Sequence, residues 1–394
     1  MENLFFTKFK ERAFRYSTKY ANSPRKFIFK LSFWLLRNLF RVDATNKKTL
    51  DPIGNLKIAV ITTGGVGDIM INALYVQQLS KYVNVKSQID IYAHHKDIIS
   101  GIFYNKDFVA NTYSIRLKQP LPSEYDMIIE ISRSPLITWV SARASSGKMG
   151  AEIANYAGVI GEFSRAHPAF FQSGELFDFI GEEYHLLMGD TRWTQADIGG
   201  LLNLKNASYA LEYDSSAEDF LRKNKLTPKR YITLQRGSKT GNLDTKLWSL
   251  QSYSKLVELL KSRFADITIV QIGRDSTFHI DSVDVDFRGK TNFEELKAIL
   301  KNSLLHIDCE CGMVHMTHNL GGKSAVFFGP TAIEFYGYPE NVNISSNVCR
   351  HCEWLVQNWG DKCLRDPKVS KCMETITPQF AFEKIAPALE LLLK

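Results

Sequence analysis

A chain of 394 residues with 44% hydrophobic and 12% aromatic side chains is long enough for two ordinary domains and apolar enough to core both. It has no run of about 18 uncharged apolar residues, which excludes a transmembrane helix, and no apolar run with a small-residue cleavage site, which argues against export. Six cysteines without an export signal fit a reducing cytoplasm, where disulfides do not persist. The net charge of +7 is concentrated: residues 1–48 hold twelve Lys or Arg against three Asp or Glu, leaving the remainder close to neutral.

That basic segment, residues 1–50, is also aromatic. Phe5, Phe6, Phe9, Phe14 and Tyr16 precede FIFKLSFWLLRNLF at 27–40. The run has the length of a helix but is broken by Lys30 and Arg37, so it suits a helical arm lying in an anionic membrane interface on the cytoplasmic side. A helical extension packed on the body or on another subunit would give the same pattern. Nucleic acid fits less well, since the basic-aromatic pattern does not recur.

From Leu56 the pattern alternates strands and helices. The first unit is a buried strand, Ile58-Ala59-Val60-Ile61, a turn at 62–67 with three glycines, and a helix opening at Asp68 that carries Ile69, Ile71, Leu74 and Leu79. The turn is not a dinucleotide fingerprint, because Gly65-Val66-Gly67 is followed by Asp68, Ile69 and Met70 rather than by a third glycine. Asp68 also argues against phosphate here, since two anions would compete for one helix N-terminus. The helix dipole keeps this carboxylate ionised and able to accept a proton or hydrogen bond; an aspartate that merely caps its own helix would look the same.

Further strands are predicted at 88–93, 112–117 and 126–131, followed by a helix- and loop-rich segment at 145–203. Residues 204–228 turn polar, with Tyr209–Tyr213 as their single strand signal, and form the linker. A second series follows, with strands at 231–235, 267–272, 304–307 and 324–328 and helices at 249–263, 292–302 and 313–320. The expected organisation is α/β: an arm at 1–50, one Rossmann-like doubly wound domain at 51–210, a second at 211–378, and a closing helix in 379–394. The two domains should face a central cleft, with ligands at the carboxyl ends of the strands.

Three later segments carry chemistry. Arg236–Trp248 follows a strand and offers glycines, hydroxyls including Ser238, and two lysines, which suits a diphosphate; a solvated loop has the same composition. Lys246 is its most specific part, because Trp248 can fix the helix start and aim the lysine inward. Asp308–His318 places backbone amides around Cys311 to Met313 at a helix start, an anion site, with His315 one turn in. Its Cys309, Cys311, His315 and His318 match no familiar zinc spacing, and buried thiols are the commoner outcome. Cys349, Cys352, Cys363 and Cys372 open with a C-x₂-C knuckle, and four cysteines within 24 residues suit a structural zinc or iron ion as well as they suit free thiols.

Taken in order, GGVGDIMINAL, DTKLW at 244–248, ECGMVH at 310–315 and VFFGPT at 326–331 resemble the motifs of glycosyltransferase family 9, the heptosyltransferase-like enzymes of lipopolysaccharide assembly. The cysteine tail resembles a subset of that family. Together these pieces span about residues 56 to 380. The resemblance implies a GT-B fold and an inverting transfer of a sugar, typically heptose, from a nucleotide-diphosphate donor such as ADP-heptose to a lipid-linked saccharide.

By motif position it implies that Asp68 is the general base and that Lys246 stabilises the leaving diphosphate. Gly67, Ser238, Glu310, Cys311, Gly312 and His315 would then surround the donor, and Asp275 would reach its ribose. No metal is expected in the catalysis, because lysine and helix dipoles can take the leaving-group charge. Glu310 stands where the family usually has aspartate, and Cys311 where it has a small hydroxyl residue. Another GT-B enzyme, with a different donor sugar or with epimerase activity, and a non-catalytic scaffold of the same fold are the alternatives.

Overall fold

The computed structural model describes residues 56–83, 88–145, 151–171, 175–237, 245–274, 278–356 and 358–394. The basic arm, Ser238 and Asp275 lie outside these residues. Apart from Leu121–Ser123, the described residues form one compact unit. Among them no helix is long and apolar enough to cross a membrane.

The first sheet contains β1 (Lys57–Thr62), β2 (Gln88–Ala93), β3 (Val109–Ser114), β4 (Met127–Ile131) and β5 (Pro135–Val140), in the order β3-β2-β1-β4-β5. β1 is central because both its faces are apolar. Ile58 and Val60 join the main core with helix α1 (Val66–Tyr82), and Ala59 and Ile61 pack with Tyr92 and Tyr125 on the other side. Helix α2 (Lys96–Ile102) follows β2, and α3 (Ala151–Ala166) and α4 (Glu175–Leu187) follow β5. β5 was not anticipated. It runs antiparallel to β4, pairing Ile131 with Pro135 and Met127 with Val140, and its leading proline fits an edge strand that needs no donor there.

The second sheet contains β6 (Tyr231–Leu234), β7 (Thr268–Gln271), β8 (Val285–Asp286), β9 (His306–Cys309), β10 (Ser324–Phe328) and β11 (Val342–Ser345), in the order β11-β10-β9-β6-β7-β8. All its pairings are parallel. Its helices are α5 (Leu250–Arg263), α6 (Phe293–Asn302), α7 (Gly312–Asn319) and α8 (Pro378–Leu392). Their starts follow capping chemistry: Ser249 accepts from the Ser252 amide, Asn292 and Glu295 form a capping box, and Thr377 precedes Pro378 at the first turn.

Three sequence expectations are corrected. The strand expected at 112–117 lies at Val109–Ser114, where pairing with β2 sets its bounds. The strand expected at 304–307 lies at His306–Cys309, because buried polar residues carry it on after the apolar run ends: His306 and Asp308 are both 0% exposed. Tyr209–Tyr213 forms no strand. It is an extended tie in which the Tyr209 hydroxyl donates to the Ile102 carbonyl (2.7 Å) and the Leu211 amide to the Asn319 carbonyl (2.8 Å).

The two sheets share a core. One apolar cluster runs from Ile58 and Val60 through α1 to Ala298, Ile299, Met316 and Leu320 on α6 and α7. Beside it, the fully buried Lys297 ammonium donates to the carbonyls of Gly101 and Glu212 at 2.7 Å each and lies 2.7 Å from Glu294. A buried charge persists only when paired and hydrogen-bonded in this way.

Candidate active site

The β1–α1 turn is shaped around Asp68. Gly64 has φ +103°, and a β-carbon there would lie 2.3 Å from Asp68 Oδ2, so glycine meets both a backbone and a steric demand. The Gly65 amide donates to Oδ2 (2.8 Å), which makes Asp68 a cap of its own helix. Its Oδ1 accepts from Arg192 Nη2 at 2.7 Å. Capping does not close the side chain off: it keeps 39% exposure, and its two oxygens have acceptor positions beyond the two bonds made here.

Arg192 was not singled out in the sequence. It is 5% exposed, and the same Nη2 also donates to the Ser132 carbonyl (3.2 Å). The available signal was a lone cation among Trp193 and the threonines of TRWT, in a segment without periodicity.

Across from Asp68 stands the β9–α7 turn. Gly67 and Gly312 meet backbone to backbone: a β-carbon on Gly67 would sit 3.1 Å from Gly312 Cα and 3.3 Å from His315 Cδ2. Helices α1 and α7 thus start against each other, and His315 stands beside the Asp68 turn. His315 is buried, its Nδ1 bonds the Tyr338 hydroxyl (2.9 Å), and its Nε2 lies 3.6 Å from Glu310 Oε1.

Glu310 pairs with Lys246. Burial acts to raise the Glu310 carboxyl, but the Lys246 ammonium and His315 outweigh it and hold its pKa down at about 2. Burial likewise acts to discharge Lys246, and Glu310, with Glu353 beyond it, keeps its pKa above the ordinary lysine value. Both charges are therefore maintained, with Glu310 buried and Lys246 half-buried.

Lys246 is held by its neighbours. Trp248 is 1% exposed, packs on Phe327 with ring centroids 4.2 Å apart, and donates its indole N–H to the Ile376 carbonyl (2.8 Å). Arg236 Nε donates to the Trp248 carbonyl (2.8 Å). Immediately before the lysine, the Thr245 amide donates to the Gly360 carbonyl (3.1 Å) and Ser370 Oγ to the Thr245 carbonyl (2.6 Å). The cysteine-rich segment thereby clamps the lysine loop from outside.

Cys311 faces inward. Its thiol donates to Asp308 Oδ2 (2.8 Å), and Asp308 is in turn 3.3 Å from His306 Nε2, whose Nδ1 contacts Thr233 Oγ1 at 3.0 Å. Burial pushes the Cys309 thiol up to about 12 and raises Cys311 as well, so both stay protonated. Among the described residues no three His, Cys, Asp or Glu side chains stand ready to hold a metal ion. His318 is engaged elsewhere, stacked on Tyr338 with ring centroids 3.6 Å apart and bonded to Glu340.

Cys349, Cys352, Cys363 and Cys372 share one neighbourhood. Burial first, and then the nearby Cys372, Cys349 and Cys363, push the Cys352 thiol up to about 12. The Lys371 amide donates to Cys363 Sγ (3.5 Å). The fold thus gathers the four thiols, although not at metal-holding spacing.

The fold is that of glycosyltransferase family 9 structures. The Escherichia coli ADP-heptose lipopolysaccharide heptosyltransferase II superposes with a TM-score of 0.53 at 15% identity, covering 86% of this chain and 100% of that one. A family 9 glycosyl transferase from Veillonella parvula gives 0.55 at 14% identity over 88% and 100%. TibC, an iron-containing dodecameric glycosyltransferase from enterotoxigenic E. coli, gives 0.58 at 15% identity over 86% and 78%. No protein-family profile matches the chain, and no curated protein is similar to it in sequence. The GT-B fold expected from the motifs is therefore present.

Proposed function

We propose that the chain is an inverting glycosyltransferase that moves a sugar, heptose in the first instance, from a nucleotide-diphosphate donor to a lipid-linked saccharide of the bacterial surface. One observation carries the reading: the Asp68 turn and the Lys246–Glu310–His315 cluster are brought together by the Gly67–Gly312 contact. A partly exposed carboxylate thus stands at one strand-helix turn and a half-buried ammonium beside the other. In a single displacement the acceptor oxygen attacks the anomeric carbon as its proton passes to Asp68, and the carbon–oxygen bond to the diphosphate breaks. Lys246 and the N-terminus of α7 receive the negative charge that leaves, and the one backside attack inverts the anomeric centre. TibC is described in complex with ADP-D-β-D-heptose, which supports this donor class.

The residues outside the described part belong to the same reading: Ser238 to the diphosphate, Asp275 to the ribose, and the arm at 1–50 to an anionic inner-membrane surface where a lipid-linked acceptor resides. Cys349, Cys352, Cys363 and Cys372 would hold one structural zinc or iron ion through their thiolates.

The test is release of nucleotide from ADP-heptose and from UDP- and GDP-hexoses by the full chain, in the presence of lipid-linked saccharide extracted from bacterial membranes. Acceptor-dependent release that disappears in Asp68→Asn is expected. Full activity in that variant would refute the assigned base, and no release from any donor would favour the scaffold alternative.

A further inference from the structure

A second group of buried polar atoms adjoins the Lys246–Glu310 pair. Glu182, on α4, is 1% exposed, and Glu353, in the segment after β11, is 4% exposed. Glu353 Oε2, Glu182 Oε1, the indole nitrogen of Trp354 and Thr331 Oγ1 are all buried without a hydrogen-bond partner among the described residues. Buried polar atoms are nearly always paired, so the unpaired Glu353, Trp354 and Thr331 atoms around the turn after β10 point to a missing polar partner.

Their place in the fold says which partner. The Cys352 and Glu353 amides both donate to the Pro330 carbonyl (2.8 and 3.0 Å), which hangs the 352–354 segment on the turn after β10, with Thr331 next to it. Arg133, just after β4, lies over the Trp354 ring at 4.6 Å. The group therefore sits at the carboxyl ends of strands from both sheets, where doubly wound folds bind ligands. Glu353 is within electrostatic reach of Glu182, Lys246, Glu310 and Arg133. Tyr336 donates to Glu182 Oε2 at 3.3 Å, and His351, whose pKa Glu182 raises, forms an ion pair with Glu182 Oε1 at 3.6 Å and with Glu183 Oε1 at 3.1 Å. Arg133 and Lys246 disfavour a metal cation as the missing group.

We propose that Glu182 and Glu353, one from each half of the chain, together with the Trp354 indole N–H, recognise the hydroxyls of the donor sugar. Glu182 oxygens accept from ring hydroxyls, the Glu353 carboxyl, pushed up to about 8 by burial and by Glu182, donates as well as accepts, and the indole donates to a ring or hydroxyl oxygen. The nearness of Glu353 to Lys246 puts the sugar on the side where its diphosphate would lie. This assignment rests on the glycosyltransferase reading.

The test is calorimetric titration of the full chain with ADP, UDP, ADP-heptose and UDP-glucose, comparing each sugar nucleotide with its free nucleotide. The wild-type chain should bind its sugar nucleotide more tightly than the matching nucleotide. Glu353→Leu and Glu182→Leu should each lose about tenfold of that difference while free-nucleotide affinity holds, which also reports an intact fold. Glu353→Gln preserves side-chain volume should the leucine variant not fold; it should lower the increment and change the preference between the two sugars. An increment retained in full by the folded variants overturns the sugar assignment alone. Failure of the wild-type chain to bind any of the four ligands overturns the glycosyltransferase reading and this assignment with it.

Discussion

Gly67 and Gly312 touch through their backbones: a β-carbon on Gly312 would lie 2.9 Å from the Gly67 nitrogen and 3.3 Å from its Cα. Both obstacles are main chain, so neither can swing aside. Gly312→Ala is therefore expected to push the two turns apart and to cost about 1–3 kcal/mol, the usual penalty of overpacking. Chemical denaturation should show the stability loss, and transfer activity should fall by more than stability alone explains. A variant as stable and active as the parent would mean that the contact is dispensable.

Arg192 holds Asp68 without occupying the position of a reacting group. Asp68→Asn keeps the side-chain shape and removes the proposed base, so kcat should fall about 10²–10⁴-fold with little change in donor KM. Arg192→Leu should act through orientation. It should lower kcat less than Asp68→Asn does and leave donor KM little changed, because the 2.7 Å contact that aims the carboxylate has been removed. An unchanged kcat in Arg192→Leu would separate Arg192 from the reaction.

Lys246 and Glu310 sustain each other's charge. Lys246→Met should leave the Glu310 carboxylate buried and unpaired and cost about 3–5 kcal/mol, whereas Lys246→Met combined with Glu310→Leu should recover most of that stability without activity. Thermal unfolding of the single and double variants decides this. If the losses simply add, the pair is not coupled in the folded state.

The same pair sets an acid dependence. The folded-state pKa of Glu310 is depressed to about 2, so its contribution is fully present above the ordinary carboxylate range and is lost as pH falls through that range toward 2. Each unit of depression is worth roughly 1.4 kcal/mol. Stability measured from pH 6 to pH 2 should therefore fall less steeply in Glu310→Gln than in the parent.

The cysteine segment grips the residue before Lys246 through Ser370 and Gly360. If the four thiols hold one ion, the chain purified without chelator should carry about one zinc or iron per molecule. Removing it, or replacing Cys352 by Ser, should then weaken diphosphate binding more than it disturbs the first sheet. Metal-free protein with unaltered donor affinity would identify the cysteines as ordinary thiols.

The sequence made the strands and glycine turns legible because buried parallel strands are continuous apolar runs and the turns follow them directly. Trp248 was readable as the anchor of Lys246 for the same local reason. Three features were not. β5 depends on pairing with β4 rather than on its own alternation. β9 continues through His306 and Asp308, whose burial is made tolerable by Thr233 and Cys311 from other places in the chain. Arg192 lies 124 residues from Asp68, and no local pattern announces a partner at that distance.

Arg192 is also the point where shape and charge meet. Its own amide donates to the Phe335 carbonyl (2.9 Å), and Trp193 stacks on Tyr338 with ring centroids 4.4 Å apart, so the backbone that carries this guanidinium rides on the second sheet's side of the molecule. Its side chain nevertheless reaches to Asp68 on the first. If Asp68 is the base, its ionic partner therefore arrives from the side of the second sheet and not from the turn that carries the carboxylate.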